Sequence, residues 1–135
     1  MQLNGKVAVV TGGARGIGKA IAHAFGERGA ALALLDLNQA ELDATRAEFE
    51  ARGVKVSGHS LNVAKEDEVL RALDAVVAAH GRLDVLVNNA GVNPQHGPLV
   101  DADLDAVRKV FETNVVAALG YVQVAHRAWM GAHGG

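Results

Sequence analysis

The tightest constraint on this sequence is a glycine turn set directly after a short apolar run. Val7-Ala8-Val9-Val10 is continuously apolar, as expected of a strand covered on both faces. Thr11-Gly12-Gly13-Ala14-Arg15-Gly16-Ile17-Gly18 follows. A helical period then runs from Ile17 to about Arg28, where Gly29 can end it. A parallel strand that feeds a tight turn and then a helix leaves unpaired backbone N–H groups at the turn. Those donors and the positive end of the helix dipole suit a pyrophosphate. Gly12 permits the turn, Gly16 lets a ligand approach the backbone, and Gly18 lets helix and strand pack closely. The spacing is G-x-x-x-G-x-G and departs from the G-x-G-x-x-G fingerprint. A bare turn that needs glycine would use the same residues.

The rest of the chain repeats the alternation. Ala31-Leu32-Ala33-Leu34-Leu35 is a second buried run that closes on Asp36. Asn38 with Glu41 reads as a capping pair for a helix to about Arg52, and Gly53 follows it. Val54 to Leu61 alternates more, which suits a strand near a sheet edge. Lys65 to His80 carries the helical period through Val69, Leu73, Val76 and Val77, with Gly81 after it. Val85-Leu86-Val87 is a fourth strand. Asn88 to Val100 holds both prolines and reads as loop. From about Asp101 the helical period returns and runs to Met130, long enough that a bend is expected. Strand and helix in steady alternation predict one α/β domain over residues 1–135: a doubly wound parallel sheet with right-handed crossovers.

Three further places can carry chemistry. Asp36 lies eighteen residues beyond Gly18, at a strand end where a carboxylate can accept hydrogen bonds from a ribose. It also repels a 2′-phosphate, although it can equally start the turn before Asn38. Arg15 pulls the other way, because a cation in the loop can meet that phosphate; otherwise it is a solvated side chain. Asn88-Asn89-Ala90-Gly91 follows the fourth strand, on the edge where doubly wound sheets bind ligands. A plain turn fits these residues as well. Asn114 falls within the apolar stripe of Val110, Phe111, Ala117, Ala118 and Tyr121, and a buried amide there needs a partner. It either bonds a neighbouring segment or helps bend the helix at a site.

These features together resemble the short-chain dehydrogenase/reductase family, whose Rossmann fold binds nicotinamide dinucleotides. Thr11-Gly12-x-x-x-Gly16-x-Gly18, Asn88-Asn89-Ala90-Gly91 and Asn114 carry the resemblance. It covers essentially the whole chain. It implies a cofactor on Gly12, Arg15, Gly16, Ile17 and Gly18, with Asp36 at the ribose and NAD favoured over NADP. Asn62 and Val63 stand where the family has an acidic residue beside adenine. Asn89, Ala90 and Gly91 would line the cofactor, and Asn114 matches the asparagine that holds a water in the family's proton relay. The helix containing it implies a homo-oligomer face. A small alcohol or ketone is the implied substrate. A 3-oxoacyl-carrier-protein reductase-like activity with NADP is one alternative, and a fragment that binds nucleotide or a partner without catalysis is another.

The sequence departs from the family in what it lacks. Tyr121 is the only tyrosine, and Ala125 occupies the position four residues on where lysine would stand. Lys6, Lys19, Lys55, Lys65 and Lys109 are not placed to serve. The resemblance therefore implies that the catalytic serine, tyrosine and lysine lie beyond Gly135, and that this is the first half of a longer, Rossmann-type protein. Without them the chain alone has no general acid for the substrate oxygen, and its fourth strand is expected to be an open edge.

Composition excludes other classes. A net charge of -2 without a basic stripe argues against nucleic acid. Cysteine is absent, and His23, His59, His80, His96, His126 and His133 show none of the close pairings of zinc sites, so no metal is expected. No run approaches the ~20 apolar residues of a membrane span. The amino-terminal residues lack the features of a secretion signal, so a cytoplasmic protein is expected.

Overall fold

The computed structural model describes residues 1–62 and 65–135. Four strands, β1 (Val7–Thr11), β2 (Ala31–Asp36), β3 (Val56–Ser60) and β4 (Val85–Val87), form one parallel sheet in the order β3-β2-β1-β4. Register runs Val7 to Ala31 and Ala8 to Val85 on the two sides of β1, and Leu32 to Val56 beyond. The continuous apolar runs occupy the two inner strands, where both faces are covered; every residue of β1 is buried. The alternating run is the outer strand β3, as its pattern predicts. At the other side, β4 pairs with β1 and with no further strand among the described residues.

Helices α1 (Gly16–Gly26) and α2 (Gln39–Ala51) cover one face, and α3 (Glu66–His80) packs on the other. Alternate residues of each inner strand point to opposite cores. Ala8, Val10, Leu32 and Leu34 meet Ala22, Leu42 and Phe49, whereas Val9, Ala33 and Leu35 meet Val69, Leu73 and Val76. Leu32, Leu34, Leu35, Leu42 and Leu73 are fully buried, and each contributes about 1.5–3 kcal/mol relative to exposure. The expected Asn38 cap is present: its Oδ1 accepts the Glu41 amide at 3.1 Å.

The last helix begins later than the periodicity suggests. Leu99–Asp101 forms a 3₁₀ turn, and α4 (Leu104–Phe111) starts after Asp103, whose carboxylate accepts the Asp105 amide. The chain then continues through a π-helical stretch, Glu112–Val116, into α5 (Ala117–Ala125). A second π-helical stretch, His126–Met130, precedes a last turn, Gly131–His133. Tyr121, Val124 and Ala125 join the core under α3. Phe111, Val115, Val116, Leu119 and Val122 are exposed on the same helical run. Among the described residues no helix is long and apolar enough to cross a membrane.

Candidate cofactor site

The strand order reverses at β1, whose neighbours β2 and β4 lie on opposite sides. In open parallel sheets the crevice at the carboxyl ends of such strands receives ligands. The loop after β1 and the loop after β4 both emerge there, and they are tied together. The Thr11 hydroxyl donates to the Val87 carbonyl at 3.2 Å and accepts the amides of Asn89 and Ala90, each at 3.0 Å. Asn89 Nδ2 in return donates to the carbonyls of Thr11 and Gly12, at 3.1 and 3.2 Å. The Asn88-to-Gly91 segment is therefore a brace across the two strand ends as well as a turn.

The loop itself is shaped for a close ligand. A Cβ on Gly18 would collide with the Gly12 carbonyl oxygen and the Asn89 side chain, so only glycine allows α1 to start this close to β1. Gly16 has φ +55, the left-handed region, and nothing lies within 4 Å of where its Cβ would be. Its backbone is open to the outside. Arg15, at the start of α1, makes no side-chain cap bond. The first-turn amides of α1, which no helix can satisfy internally, are thus left without a side-chain cap.

Asp36 closes β2 beside this loop. Its Oδ2 accepts the Ala14 amide at 3.1 Å and its Oδ1 accepts the Asn38 amide at 3.2 Å. The two readings of Asp36 are therefore compatible: one carboxylate starts the turn and also faces the glycine loop. Thr45, buried in α2, donates to the Ala14 carbonyl at 2.6 Å. Sequence reasoning missed Thr45. Its signal was a polar residue on the apolar stripe of Leu42 and Phe49, three residues after one and four before the other.

The other expected residues spread along the same edge. Ile17 is 74% exposed in the first turn of α1, an apolar side chain offered to solvent. Asn62 follows β3, and its backbone amide donates to Glu68 Oε2 at 2.7 Å, the main reason the Glu68 carboxyl lies below its usual range. Val63 falls outside the described residues. Gly91 borders Asn114, whose Oδ1 would lie 3.3 Å from a Cβ there. Asn114 itself corrects the expectation of a buried amide. It is exposed, in the π-helical stretch, and grips Val92 twice: Oδ1 accepts its amide at 2.8 Å and Nδ2 donates to its carbonyl at 3.0 Å. The buried polar residue of that helix is its neighbour Thr113.

Tyr121 is 2% exposed, its hydroxyl has no hydrogen-bond partner among the described residues, and burial pushes the phenol far above its usual range. It is a core residue, packed in the cluster that contains Val69, Leu73 and Val76 of α3.

The arrangement as a whole fits a dinucleotide: a bare glycine turn for the pyrophosphate, a carboxylate at the next strand end for a ribose, and a braced floor between β1 and β4. Comparison with known proteins identifies the family. Residues 6–135 match the family described as short chain dehydrogenase. Short chain dehydrogenase/reductase dpchG of Colletotrichum higginsianum is 37% identical over 95% of this chain and 48% of its own length. An NAD+-bound xylitol dehydrogenase superposes with a TM-score of 0.93 at 33% identity, over 98% of this chain and 51% of the other. A short chain dehydrogenase of Burkholderia cenocepacia J2315 in complex with NADP superposes at 0.88 with 38% identity, over 96% and 53%. The chain spans about half the length of the relatives it matches.

Proposed function

Because the chain belongs to the short chain dehydrogenase family, we propose that it forms the dinucleotide-binding half of an oxidoreductase that interconverts an alcohol and a carbonyl. The supporting observation is the meeting of the glycine loop, Asp36 and the Asn89 brace at the point where strand order reverses. NAD is the favoured cofactor, since the Asp36 carboxylate faces the loop where a 2′-phosphate would be repelled. The bound nicotinamide would supply or accept hydride.

The residues of this chain bind and orient. The amides of Ile17 and Gly18 would meet the pyrophosphate, Asp36 would hold the adenosine ribose, and Asn62 would border the adenine. Ala90 and Gly91 leave room beside the cofactor, with Asn89 holding their loop to β1. Asn114 anchors Val92 and can position a water in a proton relay. Neither Tyr121 nor any lysine serves as its general acid; that group belongs to a longer protein of the length its relatives have. In that protein the exposed Phe111, Val115, Leu119 and Val122 form a self-association face, and the setting is cytoplasmic.

Titrating the purified chain with NADH tests the cofactor reading. NADH is expected to bind, and Asp36→Ala to lose the preference for NADH over NADPH. Equal affinities for the two in the parent would remove the role given to Asp36. A second reading, dinucleotide binding without turnover, is favoured for the chain alone by the burial of Tyr121. Turnover of any alcohol or ketone by the purified 135-residue chain overturns that second reading.

A further inference from the structure

Five residues beside the glycine loop close into a ring of polar contacts. Asp36 Oδ2 accepts the Ala14 amide and Oδ1 accepts the Asn38 amide; Asn38 Oδ1 accepts the Glu41 amide. Glu41 Oε2 then lies 3.6 Å from Arg15 Nε, and Arg15 is bonded through the chain to Ala14. A glutamate three residues after an Asn cap ordinarily reaches back to the amide of the cap residue. Here Asp36 takes that amide, so the Glu41 carboxylate is left to face the loop.

Two features show where that carboxylate is directed. Glu41 Oε2 is shielded from solvent and has no hydrogen-bond partner among the described residues, so the Arg15 guanidinium is the cation beside it. Arg15 is the single cation between Thr11 and Gly18, and its side chain is 78% exposed. The Arg15 guanidinium is a planar fork of donors suited to pairing with a phosphate. It is instead drawn toward a glutamate, and the three charged side chains of the ring sum to one negative charge. A 2′-phosphate would add roughly −1.5 to −2 more.

We propose that Glu41 is a specificity residue: it engages Arg15 and so withholds it from the 2′-phosphate of NADP, reinforcing the exclusion by Asp36. The proposal rests on the cofactor reading above. A dinucleotide carrying the extra phosphate can recruit Arg15 only by separating it from Glu41, which strands a shielded carboxylate oxygen.

The test is a cycle of Glu41→Gln, Arg15→Ala and the double variant, with NADH and NADPH dissociation constants measured for each chain by nicotinamide fluorescence. Glu41→Gln is expected to raise NADPH affinity relative to NADH by about three- to fivefold, the scale of one exposed ion pair. Arg15→Ala in the same chain is expected to abolish the gain. The proposal is overturned if Glu41→Gln leaves the ratio within about twofold of the parent, the opposing limit of so small a coupling. It is also overturned if the gain survives without Arg15, or if the parent already prefers NADPH. A parent that binds neither dinucleotide overturns the cofactor reading and this proposal with it. A parent that binds NADH but does not respond to Glu41→Gln overturns only the proposal.

Discussion

Thr11 and Asn89 hold each other from both ends: the Thr11 hydroxyl accepts the Asn89 amide at 3.0 Å, and the Asn89 side chain donates to the Thr11 carbonyl at 3.1 Å. The same hydroxyl also serves Ala90 and Val87. One side chain, 1% exposed, thus satisfies three backbone groups of the β4 end.

Thr11→Val keeps the shape of that side chain and removes its hydrogen bonds. The Ala90 amide loses its partner, whereas the Asn89 amide keeps the Val87 carbonyl at 3.1 Å, and a loss of about 1–2 kcal/mol is expected. Urea unfolding measures it. Thr11→Ser restores the hydroxyl and should recover most of the difference, which a simple packing effect would not produce.

Gly18→Ala and Gly16→Ala separate two roles of glycine. At Gly18 a Cβ collides with the Gly12 carbonyl, so the start of α1 must shift. Loss of both NADH binding and stability is expected. Gly16 has open space but a φ of +55, and the strain there is about 1–2 kcal/mol. Equal losses of melting temperature in the two variants would contradict the close approach seen at Gly18.

Ser57 couples two histidines across the β3–α3 contact, His59 Nε2 at 3.0 Å and His80 Nε2 at 2.8 Å. Burial lowers the pKa of both, and Lys55 and His59 lower that of His80 further. The unfolded chain therefore takes up protons near 6.5 before the folded chain does, and stability falls as pH drops from about 6.5 toward the depressed folded values. The carboxyls of Glu48, Glu68 and Asp84 are also depressed, but from starting points of 4.5 and 3.8, so their losses come at lower pH. Melting temperature should decline between pH 7.5 and 5.5, and less steeply in His80→Gln. A flat profile over that interval would contradict the burial of the pair.

Asn114→Ala removes both contacts with Val92. Because the site is exposed, global stability should change by about 1 kcal/mol or less, while exchange of the Val92 amide rises about fivefold, the equivalent of one modest hydrogen bond. Amide exchange followed by NMR reads this directly.

Much of the fold was legible because it depends on local pattern. The Val7–Val10 run, the Asn38 cap and the alternating third strand each state their own burial, and each sits where that pattern implies. The glycine loop was legible for the same reason: tight turns demand particular residues. Asn114 bonds a neighbouring segment as expected, but its burial was misread, because helical periodicity reports which residues share a face, not whether anything covers it. The helix start at Leu104 was hidden because it is set from outside the helix. Gln95 accepts the Asp103 amide at 2.8 Å and donates to the Asp101 carbonyl, which holds those residues out of the helix. Thr45 and the Glu41–Arg15 contact were hidden because each joins a helix to the backbone or side chain of a distant loop. No spacing rule encodes such a meeting.

The glycine loop is short in sequence but its supports are remote. Asp36 reaches Ala14 across 22 residues, Thr45 across 31, and Asn89 reaches Gly12 across 77. Loop closure over such lengths precedes any reward from the contacts made. The turn that a reader of the sequence finds first thus takes its shape from segments that must meet across long stretches of chain. Its floor is complete only with β4 beside β1, so residues 85–90 belong to the loop's architecture as much as residues 11–18 do.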